Sequence, residues 1–473
     1  MKNKKFILFI ILVCSFLFIS VLIPSLAKLV TSKTSINNEW NGSIASSFNS
    51  GSGTIDSPYI ISNASEFAYF KETLKKDDYK NKYIKITNDI ILNSGLFKDD
   101  EKLEYIKDDV TYYLDSNSDK YYEDNSFDNY VGTINEFETL KTFNGTLDGD
   151  NHTIYGLYIK EDNSSLFENI GGNISNLIIE NAYIYGEYSS AGLTLNSNES
   201  IIKNVIVDGN ILSNGNETQY MISNNIDDLV IDDEATLNIN VNLPDTSDYK
   251  FLLSGTCTGD TSFTVDGKVI PCKDFEVNVN PFNFNIQTNS RIYLTNLKYN
   301  YSYDTSISAG VILKANDSSV ENVVNRANVK NKLASGIVGI LKNTNISKSY
   351  NLGNINGNKS SGLVDTIISS NSSLNYIYNE GNLTNNSAGL VSNIIDSNID
   401  ISNSYNTYNT SALGNIDNSY LSINNSYNKV PDDDFLTYNN NSIRVLFDND
   451  DFIYDEAPLI KLDYDNLKYV NIV

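Results

Sequence analysis

The chain has 473 residues, of which 40% are hydrophobic and 11% aromatic, a content that excludes wholesale disorder and allows a large core. Its formal net charge is −25 and its pI near 4.4. So acidic a chain repels nucleic acid and anionic membrane surfaces, and neither is expected as a partner. No resident cofactor is expected either, and Ca²⁺ is the hard cation that its carboxylates would attract.

Residues 1–27 decide the compartment. Lys2, Lys4 and Lys5 form a basic start, and Phe6 to Ile23 is a nearly unbroken apolar run. Ser25 and Ala27 stand where a signal peptidase reads small side chains. The run is also just long enough to span a bilayer, so an uncleaved N-terminal anchor is the competing reading. Both readings export the remainder, because the basic start stays inside. The chain is expected outside the cell or at its surface, in contact with a membrane only through this segment. Cleavage would remove Cys14, three lysines and no acids, moving the net charge from −25 to −28. Cys257 and Cys272 then remain, and in an oxidising compartment they are expected to pair as one disulfide.

Residues 28–140 read as an N-terminal cap. A short helical period occurs only near Glu66 to Lys76. Lys98 to Glu138 is acidic and rich in tyrosine, and reads as a solvated insertion, with a contact loop as the alternative.

Residues 141–225 and 305–430 are repetitive. Ser190-Ala191-Gly192-Leu193 recurs as Ser308-Ala309-Gly310-Val311, Ser335-Gly336-Ile337, Ser361-Gly362-Leu363 and Ser387-Ala388-Gly389-Leu390. A second signature follows each copy, as in Ile202-Lys203-Asn204-Val205 with Gly209-Asn210-Ile211. A coil of this length cannot bury its apolar side alone, so coils must stack, with their strands pairing in parallel along the axis. Glycine is expected to supply turns of positive φ, and asparagine to tolerate them and to ladder between coils.

These repeats resemble the GLUG-type repeats of exported bacterial proteins. The likeness is strongest at Phe143-Asn144-Gly145-Thr146-Leu147-Asp148-Gly149-Asp150-Asn151-His152-Thr153-Ile154, continued by Leu166-Phe167-Glu168-Asn169-Ile170 and by Ile174-Ser175-Asn176-Leu177. The entry from Trp40 to Ile61 is similar to that family's N-terminal cap. The resemblance implies an all-β fold, a right-handed parallel β-helix of the pectate-lyase-like type. It implies no single function, because such solenoids host lyases, hydrolases, adhesins and inert stalks.

Residues 226–304 interrupt the repeat. Strictly alternating Thr236–Leu243 and the Asp266-Gly267 turn between Phe263 and Val269 read as an inserted antiparallel β-sandwich. It weakly resembles a jelly-roll carbohydrate-binding module, on Tyr249, Val265-Asp266-Gly267-Lys268 and Ile292 to Leu297. That likeness makes Tyr293, Tyr299 and Tyr301 the candidate glycan contacts. Residues 431–473 read as a C-terminal cap, with strands at Ser442 to Leu446 and Ala457 to Ile460.

No catalytic or metal-binding residue emerges. His152 is the only histidine, which removes Ser-His-Asp, Cys-His and histidine-metal sites, and its place in the coil-opening motif reads as structural. A polysaccharide lyase or hydrolase would need clustered carboxylates, or Ca²⁺ with a basic residue. Arg326 lies near Asp317 and Glu321, but no acids are found at the same register in neighbouring coils. The expected function is a non-catalytic, adhesin-like scaffold whose partner is a surface glycan or protein; a glycan-active enzyme and an inert self-associating stalk are the alternatives.

Overall fold

A computed structural model describes residues 39–428 apart from short gaps at 100–101, 116, 214–218, 226–228, 233–234, 241–248, 260–261, 280–282, 305, 385–386, 418 and 425, together with the backbone of 437–438 and 444–446. The chain is all-β and forms a parallel β-solenoid of about 11 turns. One helix of any length is described, α1 (Ala64–Leu74). Asn63 caps it by accepting from Glu66 N at 3.0 Å, while Glu66 Oε2 accepts from Ser62 N at 2.7 Å. Its apolar face, Phe67, Phe70 and Leu74, is buried in the solenoid core, where Phe67 stacks on Phe137 at 5.2 Å. The first coil would otherwise end in open apolar surface.

Two parallel sheets run the length of the solenoid, one of 24 described strands and one of 8. Side chains pointing inward make a single apolar column that includes Leu147, Ile174, Ile202, Val320, Ile346, Leu374, Ile401 and Ile423. The register repeats from coil to coil: Ile174 pairs with Ile202, Ile202 with Val320 and Val320 with Ile346.

Three ladders fix that register. Inside, Asn325, Asn351, Asn379, Asn406 and Asn428 are fully buried and hand one amide hydrogen along the column, at 2.7, 2.8, 3.2 and 2.9 Å. Each of the middle three also binds backbone of its own turn, as when Asn379 Oδ1 accepts from Gly381 N at 3.2 Å. Beside this ladder, Tyr350, Tyr378 and Tyr405 stack at 4.5 and 4.6 Å with nearly parallel rings. At a third position the backbone is left-handed in six successive coils, at Asn176, Asn204, Asn322, Lys348, Tyr376 and Asn403, with φ between 50 and 54°. Asparagine adopts this conformation most cheaply of the non-glycine residues, and Asn322, Asn204 and Asn176 also link down to Asp148 at 2.9, 2.7 and 2.9 Å.

The repeating glycines serve a different purpose from the one expected. Gly310, Gly336 and Gly362 do not have positive φ; a Cβ on each would lie 2.1, 2.0 and 1.9 Å from the carbonyl oxygen of the next coil's glycine. They are needed for close approach, and asparagine supplies the left-handed turn.

Lys98 to Glu138 differs from the expected solvated insertion. Five antiparallel strands from Leu96 to Thr133 form a meander. Its Phe97, Tyr105, Leu114 and nearby Ile134 share a buried cluster with Tyr158, Tyr183 and Leu212 of the solenoid. The apolar faces of those tyrosines make docking favourable.

Gln219 to Asp304 forms two antiparallel sheets. Their buried residues, including Leu253, Phe263, Val277, Ile286 and Leu294, make one cluster separate from the solenoid core. Asp266 and Gly267 both have positive φ, as a two-residue hairpin turn requires. The unit begins earlier than residue 226, because Gln219–Asn225 already pairs with Ile292–Asp304. At the other end of the chain, the backbone of Thr437–Tyr438 and Arg444–Leu446 continues both solenoid sheets in parallel, so these residues are a further rung. The remainder of 431–473, including Ala457 to Ile460, lies outside the described residues, as does the leader 1–27. Among the described residues no helix is long and apolar enough to cross a membrane.

Candidate functional site: an acidic cleft and an inserted unit

Two places in the structure concentrate chemistry. The first is a cleft of about 220 Å³ where the meander meets the solenoid, lined by Phe97, Asp99, Tyr155, Glu180, Asp208 and Asn210 among others. The edge strand of the meander is hung there on amides: Phe97 N donates to Asn181 Oδ1 at 2.8 Å, and Asn181 Nδ2 and Asn210 Nδ2 donate to Gly95 O and Phe97 O at 2.6 and 3.2 Å. Behind it, successive rungs bring one residue each to the same column. Tyr155 pairs with Glu180, Asp208 stands in the next coil, and Arg326 follows, its backbone N bound to Val207 O at 2.8 Å. Adjacent rungs are about 4.8 Å apart, so neighbouring groups in this column feel one another.

Partial loss of hydration holds the Glu180 carboxyl above the usual range, the Asp208 charge adds to that, and Arg326 works against both. Asp208 is raised by burial, with Arg326 and a backbone hydrogen bond from Gly209 opposing. Burial, then Glu180 and Asp208, raise the Tyr155 phenol. A carboxyl that keeps its proton beside an ionised one can give that proton to a leaving group while its neighbour acts on the opposite partner. No group of three His, Cys, Asp or Glu side chains suited to a metal occurs among the described residues.

In sequence, the acids near Arg326 are Asp317 and Glu321. Those residues are elsewhere: Glu321 binds Lys203 at 2.8 Å and Lys348 at 3.3 Å. The acids in register with Arg326 are Asp208 and Glu180, which the inserted unit separates from it in sequence. The available signal was the offset of 118, which joins Gly192 to Gly310 and equally Asp208 to Arg326.

The second place is the inserted unit. Cys257 and Cys272 form its disulfide, with Cα atoms 4.8 Å apart. Tyr293 is 45% exposed and carries the Arg291 guanidinium over its ring at 5.5 Å. Tyr299 and Tyr301 follow on the same strand, with their side chains outside the described residues. The structure therefore places one of the three candidate glycan contacts, Tyr293, at the surface. His152 sits at the cap, its Nδ1 3.3 Å from Asp89 Oδ1.

No family model matches the chain, and no curated protein matches it. Among solved structures, the chain is similar to the crystal structure of a "putative immunoglobulin A1 protease" from Bacteroides ovatus, at 14% identity over 84% of this chain and 80% of that one, with a TM-score of 0.32. A likeness of that size carries no argument about activity.

Proposed function

We propose that this chain is an exported display scaffold: a right-handed β-solenoid of the GLUG-repeat type that holds out the inserted two-sheet unit as its binding element, with a surface glycan or protein as the ligand. Right-handedness follows from the general rule for parallel β crossovers. The carrying observation is that the solenoid closes across the insert without a missing rung. Ser190 pairs with Ser308, Ile202 with Val320 and Asn210 with Asn328. The two ends of the insert meet, with Ser213 Oγ 3.4 Å from Ser306 Oγ. The unit has its own core and its own disulfide, so the solenoid does not need it for stability. A segment that the scaffold does not need is retained for what it contacts. The disulfide and the apolar leader both fit an oxidising location outside the cell.

The experiment is a glycan-array screen of residues 28–473 beside a variant lacking 214–305, with and without Ca²⁺. Glycan binding that disappears with the excision supports the reading. Binding retained by the excised chain would move the site to the solenoid.

A second reading, a polysaccharide-cleaving enzyme, is favoured by one observation, the Tyr155–Glu180–Asp208–Arg326 column in its cleft. It predicts reducing-end release from a polysaccharide that Glu180→Gln and Asp208→Asn each abolish. Release unaffected by both substitutions would end it.

A further inference from the structure

The outer edge of the meander holds an aromatic cluster where solvent reaches it. Phe127 and Tyr130 are 43% and 58% exposed, and Val131 beside them is 39% exposed. Tyr122 joins their rings, 5.3 Å from Phe127 and 6.1 Å from Tyr130. Phe127 has φ of +60°, a conformation costly for a bulky side chain that stays 43% exposed. A hydrogen-bonded loop enforces it. Asp124 Oδ1 accepts from Ser126 N at 3.1 Å, Asp124 Oδ2 from Asn129 Nδ2 at 2.7 Å, and the Ser126 hydroxyl lies between Asp124 and Asp128 at 2.5 and 2.9 Å. The chain thus uses several polar groups to hold an apolar ring partly in water.

The surroundings select the occupant. Glu123, Asp124 and Asp128 flank Phe127 along the chain and put negative charge beside the cluster. The Asp124 oxygens are already engaged within the loop, so what that group extends outward is field rather than free hydrogen-bonding capacity. Aromatic faces within such a field attract cations. The meander already uses this attraction internally: Lys120 Nζ lies 5.8 Å from the Tyr130 ring centroid, and Lys102 Nζ 5.7 Å from that of Tyr113. A second copy of the chain is a poor occupant, since each carries a formal charge of −25.

We propose that the Phe127–Tyr130 edge is a docking surface for a basic, arginine-bearing polypeptide segment, whose guanidinium groups stack on these rings inside the acidic rim. Arginine fits better than lysine because its planar group stacks and is weakly hydrated. This surface is separate from the inserted unit, so the two can be tested apart.

The test is fluorescence anisotropy of a capped, labelled hexa-arginine peptide titrated with residues 28–473, beside hexalysine, hexaglutamate and a neutral β-glucan hexasaccharide. Phe127→Gly and Tyr130→Ser change no charge, so the general attraction of an acidic protein stays constant. Each should weaken hexa-arginine binding by about tenfold, the size of a single lost hot spot. Phe127→Gly should leave the melting temperature near the parent's, because the relief of the positive φ offsets the lost packing on Tyr122. The chain lacking 214–305 should bind as the parent does. Equal hexa-arginine affinity in the parent and both variants would overturn the proposal, leaving charge alone as the attraction. So would a hexasaccharide that binds the parent and not the variants while the peptide is unaffected.

Discussion

Two antiparallel units interrupt the same solenoid, and they are attached in opposite ways. The meander at 96–133 has no closed core of its own: Phe97 and Tyr105 are buried against Tyr158, Tyr183 and Leu212 of the coils, and Tyr158 OH donates to Asp119 Oδ1 at 2.9 Å. The unit at 219–304 keeps its apolar residues to itself and closes its own disulfide. One has become part of the scaffold, and a cleft has formed at the seam. The other is grafted onto a scaffold that is complete without it. An insert's place in sequence says nothing of this; the partners of its buried side chains decide it.

The largest expected effect follows from that difference. Removing 96–133 would expose Tyr158, Tyr183 and Leu212 and take away the Phe97 N–H that Asn181 Oδ1 accepts and the Phe97 carbonyl to which Asn210 Nδ2 donates. The early coils should lose cooperative unfolding, read as lost protection in amide hydrogen exchange at 140–213; protection equal to the parent would mean that the meander is as independent as the insert.

Within the scaffold, Asn379→Leu should cost about 3 kcal/mol, since it removes the bonds to Asn351 Nδ2, Asn406 Oδ1 and Gly381 N at roughly 0.5–1.5 kcal/mol each, while each of those groups keeps one other partner. Urea denaturation checks the value, and a change under 1 kcal/mol would contradict the ladder's role. Replacing Cys257 and Cys272 by serine should cost about 3 kcal/mol, the entropy of a 15-residue loop, and only in the inserted unit. A solenoid transition that moved equally would show that the two are coupled.

Asp365 sharpens the contrast by pH. It is fully buried, and loss of hydration pushes its carboxyl up to about 6, against a hydrogen bond from Thr366. The folded chain therefore holds this proton more tightly than the unfolded one, so solenoid stability should fall as pH rises from about 4 to about 6 and stay lower above that. Asp365→Asn should remove the dependence and add about 2 kcal/mol at pH 7, with little change near pH 4. A parallel gain at both pH values would contradict the assignment. The smallest effect is Lys348→Asn. It places asparagine at a left-handed position and offers a donor to Asn322 Oδ1, which is buried without a partner. A gain of about 1 kcal/mol is expected, reduced by the lost pair with Glu321; a net loss would rank that pair above the ladder.

The repeats were legible because stacking forces one side chain per coil to recur, and Gly310, Gly336 and Gly362 mark the step. Their reason was less legible: a turn glycine and a close-approach glycine look alike in sequence, and only the carbonyl facing each one separates them. The acidic column escaped because its register runs across the insert, so Asp208 and Arg326 look remote until the step of 118 is applied to them. The docking of the meander escaped because the solenoid surface that receives it is built on Tyr158 and Tyr183, and tyrosine also suits solvent. Its first hairpin did carry a signal, in Asp108 and Asp109, whose φ values of 53 and 64° fit a two-residue turn.

The account rests most on the claim that the solenoid is complete across the insert. Joining Ser213 directly to Ser306 removes residues 214–305 and shortens the step of 118 to the 26 of the neighbouring coil. Amide hydrogen exchange on that excised chain is the most direct measurement. Protection of Ile202 to Leu212 and Val320 to Val329 equal to the parent's is the predicted result. Lost protection on both sides of the junction would show that the inserted unit holds the coils together.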